Sequence, residues 1–173
     1  HGGIHLASTY LITHDTTQIS NTVINGNASG SVIILDETGT SSVKITGFVV
    51  KNGWNSEGAG MHVMNNSTAY LDHMRIIGNQ SSSAGAGLAA SNGSLCILDS
   101  CEIIGNQSST DGAGILVNSN SSAIISRSLI ADNSAWGNGG AFKIQDQSSL
   151  WLTNVTIGPN EAQGYGNGSE TPY

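Results

Sequence analysis

Fixed positive charge is almost missing from this sequence. Only Lys44, Lys51, Arg75, Arg127 and Lys143 carry it among 173 residues, against twelve acids, for a net charge of −7. Cations so few and so scattered do not form the basic face that nucleic acid or an anionic lipid surface requires, and neither partner is expected. Nor does any stretch approach the run of about 18 apolar residues that marks a membrane-crossing helix, so no membrane insertion is expected. The opening HGGIHLAS lacks the basic and apolar regions of a signal peptide, and the chain is expected to be soluble and already processed. Two cysteines, Cys96 and Cys101, leave the redox compartment open. Charged residues make up only 10% of the chain, yet 38% is apolar, so an ordered core depends on how the apolar positions are spaced.

They are spaced by a repeat. The stretch GAGMHVMNNSTAYLDHMRIIGN, Gly58 to Asn79, is followed 27 residues later by GAGLAASNGSLCILDSCEIIGN, Gly85 to Asn106. Gly58, Gly85, Gly112 and Gly139 keep the same step, as do Ser67, Ser94, Ser121 and Ser148, and a row of Asn52, Asn79, Asn106, Asn133 and Asn160. Between these marks apolar residues alternate with a period of two, as in Met61/Val63, Ala69/Leu71 and Met74/Ile76, and the pattern recurs through Phe142/Ile144, Leu150/Leu152 and Val155/Ile157. Alternation of this kind is strand spacing. Three short strands per repeat cannot close a core alone, but stacked repeats can, with equivalent residues about 4.8 Å apart in parallel strands. The expected fold is therefore all-β, a parallel solenoid of about six coils with three strands in each. One domain covers 1–173, with irregular first coils over 1–44, regular repeats over 45–160 and a tail over 161–173. The Asn row is expected to form a ladder, because a side-chain amide both donates and accepts.

The alternation of GAGM, GAGL, GAGI and GGAF with IIGN at 76–79 and 103–106, IADN at 130–133 and IGPN at 157–160 resembles right-handed parallel β-helix repeats. It is similar to the F-x-x-N and G-G-A-I/L/V elements of polymorphic outer-membrane proteins and, more broadly, to pectin-lyase-like solenoids. The resemblance covers about Ile45 to Asn160, and upstream VINGN, SVIIL and VKITGFVVKN fit with insertions and a one-residue deletion. The chain has Ile where the outer-membrane repeats have Phe, and no translocator barrel is expected in these 173 residues, so membrane anchoring is not implied by the resemblance. The resemblance implies the fold and leaves the activity open.

Pectin-lyase-like solenoids include enzymes that cleave acidic polysaccharides, which need carboxylates and a base. Asp72 and Asp99 occupy equivalent positions, with Arg75 and Glu102 three residues on; a solvated corner with a cross-coil Arg75–Glu102 pair is the favoured reading of this cluster. A terminal copper site built from His1 with His5 or His14 is set aside for want of a suitable scaffold. His62 and His73 read as ordinary surface residues. No cofactor and no metal site are expected. Cys96 and Cys101 face inward on either side of a corner, and buried thiols or a disulfide both remain open.

Outward positions Tyr70, Ile97, Ile124 and Trp151 are equivalent and are expected to form an apolar stripe that contacts another chain, a glycan or the chain terminus, with glycans or a cell surface as expected partners of the protein. Flat rows of Thr, as an ice-binding surface would need, are not provided at these positions. Of nine N-x-S/T sequons, those at Asn65, Asn66, Asn92 and Asn120 fall at one corner of successive coils and are candidate glycosylation sites, with Asn154 as a further one; Asn79 and Asn106 belong to the ladder and are expected to stay bare. The segment HGGIHL is read in the phase of NGGAF, so that Ile4 and Leu6 would dock beneath the Phe142/Ile144 column of a second copy; Gly166, 27 residues after Gly139, would end the last coil in complementary phase. Thr13–Ser20 is expected to fold over the first coil and Pro172 to blunt pairing. The sequence thus points to a non-enzymatic, extracellular structural or adhesive solenoid, a homo-oligomer or filament. A carbohydrate-binding or carbohydrate-cleaving solenoid is the alternative.

Overall fold

The computed structural model describes residues 3–39 and 41–164. The chain winds as parallel strands into four sheets. Sheet A stacks Ile4–Ala7, Ser42–Thr46, Thr68–Asp72, Leu95–Asp99, Ser122–Ser126 and Ser149–Thr153. Sheet B stacks Val23–Asn25, Val49–Lys51, Arg75–Ile77, Glu102–Ile104, Leu129–Ala131 and Thr156–Ile157. Sheet C holds Trp54–Glu57, Gln80–Ala84, Gln107–Ser108, Ser134–Ala135 and Glu161–Ala162, and sheet D holds Ile33–Asp36, Met61–Met64, Leu88–Ala90, Ile115–Val117 and Phe142–Ile144.

A regular coil therefore has four strands, not three. The strand missed by apolar alternation is QSSSA at Gln80–Ala84, whose inward residue is Ser81, stacked on Ser108. Hydroxyls there carry no hydrophobic period, so the strand is set by its neighbours rather than by its own pattern. There are about five coils rather than six. The missing coil is spent on the first turn, where two short helices, Tyr10–Thr13 and Thr17–Asn21, lie between Ile4–Ala7 and its sheet partner Ser42–Thr46. The second of them buries Ile19, but the segment does not lie over the first coil as expected: it packs along the corner between sheets A and B, where Tyr10 stacks on His73 and Ser20 accepts from Arg75 of a later coil.

The core is made of like residues on like. Ile45, Leu71, Leu98 and Ile125 form one fully buried column, Ile76, Ile103 and Ile130 another, and Met61, Leu88 and Ile115 a third. At about 25 cal/mol per Å² of apolar surface, such columns are the main stabilising term of a fold with so little charge. Corners hold the columns in register. Gly58, Gly85, Gly112 and Gly139 all adopt positive φ, between 57° and 70°, a conformation that costs other residues strain. The serine row ties one coil to the next at another corner, where the backbone N–H groups of Ser67, Ser94 and Ser121 donate to the hydroxyls of Ser94, Ser121 and Ser148.

Candidate contact surface and charged sites

The asparagine ladder runs along the B to C corner. The backbone N–H and Nδ2 of Asn79 both donate to Oδ1 of Asn106 at 3.0 Å. Asn106 does the same to Asn133, and Asn133 to Asn160. Each Nδ2 also donates to a carbonyl of the preceding coil, Val50, Ile76, Ile103 or Ile130. Asn52 is not part of it. The one-residue deletion makes the sheet B register step 26 residues here, pairing Val50 with Ile76, so Gly53 stands in the ladder and its N–H donates to Asn79 Oδ1 at 2.9 Å. Asn52 moves to the left-handed corner position held by Gly78, Gly105 and Asp132 in later coils, with φ of 56°, and its exposed amide donates to Asn25. Asparagine suits that position because it tolerates left-handed φ better than most residues.

The carboxylate pair of sheet A is in register as expected, Asp72 beside Asp99. Neither acid is free. Asp72 lies 2.6 Å from Nδ1 of His73, whose ring packs against Tyr10. Asp99 accepts from Ser126 Oγ at 2.8 Å and pairs with Arg127. Partial burial pushes the Asp99 carboxyl up, but the hydrogen bonds from Ser126 and Arg127, with the charge of Arg127, hold it below the usual carboxylate range. The Arg75–Glu102 pair forms at 2.7 Å, and Arg75 also reaches Ser20. His62 is not an ordinary surface residue: it is half-buried, its Nε2 is 2.9 Å from Ser91 Oγ, and desolvation lowers its pKa.

A second charged site was invisible in the repeat pattern. Beside sheet D, a shallow groove is lined by Glu57, Thr110, Asp111, Leu116, Asn118 and Lys143, among others. Asp111 pairs with Lys143 and accepts from the backbone N–H of Asn138, and these outweigh burial to keep its carboxyl low. Glu57 accepts from Asn118 Nδ2 at 3.0 Å. Glu57 and Asp111 share one repeat position two coils apart, but Ala84 stands between them and Asn118 and Lys143 recur nowhere, so no row of like residues marks the site. Among the described residues no cluster of His, Cys, Asp and Glu is arranged to hold a metal ion.

Cys96 and Cys101 are free thiols in the core, and burial pushes both up to about 12. The corner candidates for glycosylation divide into two kinds. Nδ2 of Asn65 donates to Asp36 and Nδ2 of Asn92 to Asn65, whereas Asn66, Asn120 and Asn154 are exposed at left-handed corners. Ile4 and Leu6 are exposed, but they do not have the phase expected of them: they stack on Val43 and Ile45 in sheet A, not in the sheet of Phe142 and Ile144. The reason is that sheet D begins only at Ile33, after the helical insertion. His1, Gly166, Asn167 and Pro172 lie outside the described residues.

The outer face of sheet A is different in kind. Its central row runs His5, Lys44, Tyr70, Ile97, Ile124, Trp151 in one unbroken register. Tyr70 is 40% exposed, Ile124 40% and Trp151 54%. Rows of Thr68, Leu95, Ser122 and Ser149 on one side and Asp72, Asp99, Ser126 and Thr153 on the other complete the face.

Four parallel sheets wound about one core by a 27-residue repeat define a β-solenoid. Residues 2–170 match the family model described as a right-handed β-helix region, and the chain belongs to that family. It is a pectin-lyase-like solenoid. No curated protein and no solved structure matches the chain. The family includes both enzymes and non-enzymes, so the activity has to be argued from the sites.

Proposed function

We propose that this solenoid is a non-enzymatic structural or adhesive element of an extracellular surface, and that it works by presenting the outer face of sheet A. The observation that carries the reading is a contrast between two sets of residues in one sheet. Asp72 and Asp99, the acids best placed for chemistry, are occupied by His73, Ser126 and Arg127. A general acid needs a raised pKa, and the hydrogen bonds on Asp99 drive it the other way. Beside them, four apolar side chains point outward in register on a rigid sheet, where burial against a partner gives a return that solvent does not.

Adhesion and cleavage separate cleanly in one experiment. Beads coated with the protein are tested for retention on polysaccharide-coated and cell-derived surfaces, while the soluble protein is incubated with acidic and neutral polysaccharides and assayed for new reducing ends. Retention that falls with Trp151→Ala, with no reducing ends released, supports the reading. Release of reducing ends that disappears in Asp99→Asn refutes it.

A further inference from the structure

The apolar part of the row, Tyr70–Ile97–Ile124–Trp151, has the same residue class in either direction, an aromatic at each end and an isoleucine at each middle position, with Lys44 and His5 continuing the row beyond Tyr70. We infer that the occupant of this face is a second copy of the chain, docked about a two-fold axis that runs along the strands between Leu95–Asp99 and Ser122–Ser126. The inference rests on reading sheet A's outer face as the contact surface.

An axis in that position reverses the order of the strands and keeps each residue in its row. Tyr70 then faces Trp151 of the other copy, and Ile97 faces Ile124, each pair occurring twice, as an isologous interface demands. The flanking rows agree. Asp99 meets Ser126 and Asp72 meets Thr153, so each carboxylate faces a hydroxyl; on the other side Leu95 meets Ser122 and Thr68 meets Ser149. No like charges are brought together. The competing two-fold, along the coil axis, would keep each strand opposite itself, setting the exposed Lys44 against Lys44 and Asp99 against Leu95. Charge therefore selects the antiparallel arrangement of the two solenoids.

Size sets the strength. Four strands of five residues give a flat footprint of about 300 Å² per copy, about 600 Å² for the pair, from ordinary strand spacing and rise. Stable complexes bury roughly 1,200 Å² or more, so this dimer is weak and reversible, and forms where the chain is crowded on a surface. Aromatic anchors at both ends of the row are the residue types that carry most of the energy in such contacts.

Sedimentation velocity over a dilution series of the whole chain tests the proposal. A concentration-dependent dimer is expected. Ile97→Asp places a carboxylate opposite Ile124 at an outward position, so the fold should survive, checked by circular dichroism, while only monomer sediments. Trp151→Ala should weaken the dimer about tenfold or more. Thr153→Lys reports the orientation: the new cation would face Asp72 of the other copy, whereas the two positions lie three strands, about 14 Å, apart within one chain. It should tighten the dimer several-fold at low salt and lose the gain at high salt. A protein that stays monomeric at its highest soluble concentration overturns the proposal, as does a dimer indifferent to Ile97→Asp or to Thr153→Lys. If the monomeric protein still loses surface retention with Ile97→Asp, the dimer is wrong and the contact face stands.

Discussion

Two asparagines that look alike in the repeat should behave very differently when truncated. Asn106 is fully buried and its side chain serves four hydrogen bonds: it accepts from the N–H and Nδ2 of Asn79 and donates to Asn133 Oδ1 and to the Ile76 carbonyl. Asn106→Ala leaves the Asn79 N–H without its partner and strips a bond from the Ile76 carbonyl, both inside the corner. A buried group left unsatisfied costs about 1–3 kcal/mol, and with the second amide hydrogen of Asn79 also released the sum is about 2–4 kcal/mol. For a domain of this length that lowers Tm by about 4–16 °C. Asn106→Asp keeps the acceptor but turns a second oxygen toward Asn133 Oδ1 and the Ile76 carbonyl, and should cost at least as much. Asn52→Gly removes the one exposed bond to Asn25 without straining a β-carbon at the left-handed φ of 56°, and should fall within about 0.5 kcal/mol of the unmodified protein. Urea unfolding of the three variants, with equal m-values as the check on two-state behaviour, gives the comparison. Equal penalties at Asn52 and Asn106, or none at Asn106, would refute the ladder and the register shift that separates the two residues.

Further tests address the core, the ion pairs and the corners. Ile103→Ala, in the buried sheet B column, should cost about 2–5 kcal/mol by denaturant titration, against little for an outward position such as Ile97→Ala. Asp99 and Asp111 have folded-state pKa values below their unfolded ones, so their stabilisation is present above the unfolded value, near pH 4, and is lost as pH falls through the folded value. The urea midpoint should therefore drop on acidification below about pH 4, and drop less in Asp111→Asn. Expressed in a host that attaches N-linked sugars, the protein should carry them at Asn66, Asn120 or Asn154 and not at the buried Asn79 or Asn106, as read by peptide mass mapping. Sugar on Asn106 would be incompatible with its four bonds.

Sequence alone revealed whatever the repeat repeats. The inward columns, the serine row and the outward row at Tyr70, Ile97, Ile124 and Trp151 all recur every 27 residues, and each recurs because stacked coils place like residues about 4.8 Å apart. Four features escaped, the first two for opposite reasons. The strand at Gln80–Ala84 recurs, but its small polar residues have no hydrophobic alternation, so nothing marked it as a strand until its neighbours fixed it. Asn52 carried a true mark in the wrong place, since a deletion of one residue shifts sheet B register while leaving the 27-residue spacing to Asn79 intact. The groove of Glu57, Asp111, Asn118 and Lys143 has no continuous row to mark it, because the acids Glu57 and Asp111 share a repeat position only across an intervening Ala84, and Asn118 and Lys143 each occur once. HGGI resembles the opening of a coil, which by pattern places Ile4 and Leu6 in sheet D, but the helices that follow displace that phase and the two residues stack in sheet A.

The central claim is that function lies in the apolar row of sheet A and not in the carboxylates next to it. Retention of protein-coated beads on polysaccharide-coated surfaces and on surfaces coated with the same protein, measured side by side for Ile97→Asp and Asp99→Asn, tests it most directly. The account predicts that Ile97→Asp abolishes retention and Asp99→Asn keeps it, with no reducing ends released by either variant or by the unmodified protein. Full retention with Ile97→Asp, or polysaccharide cleavage that Asp99→Asn eliminates, would contradict it.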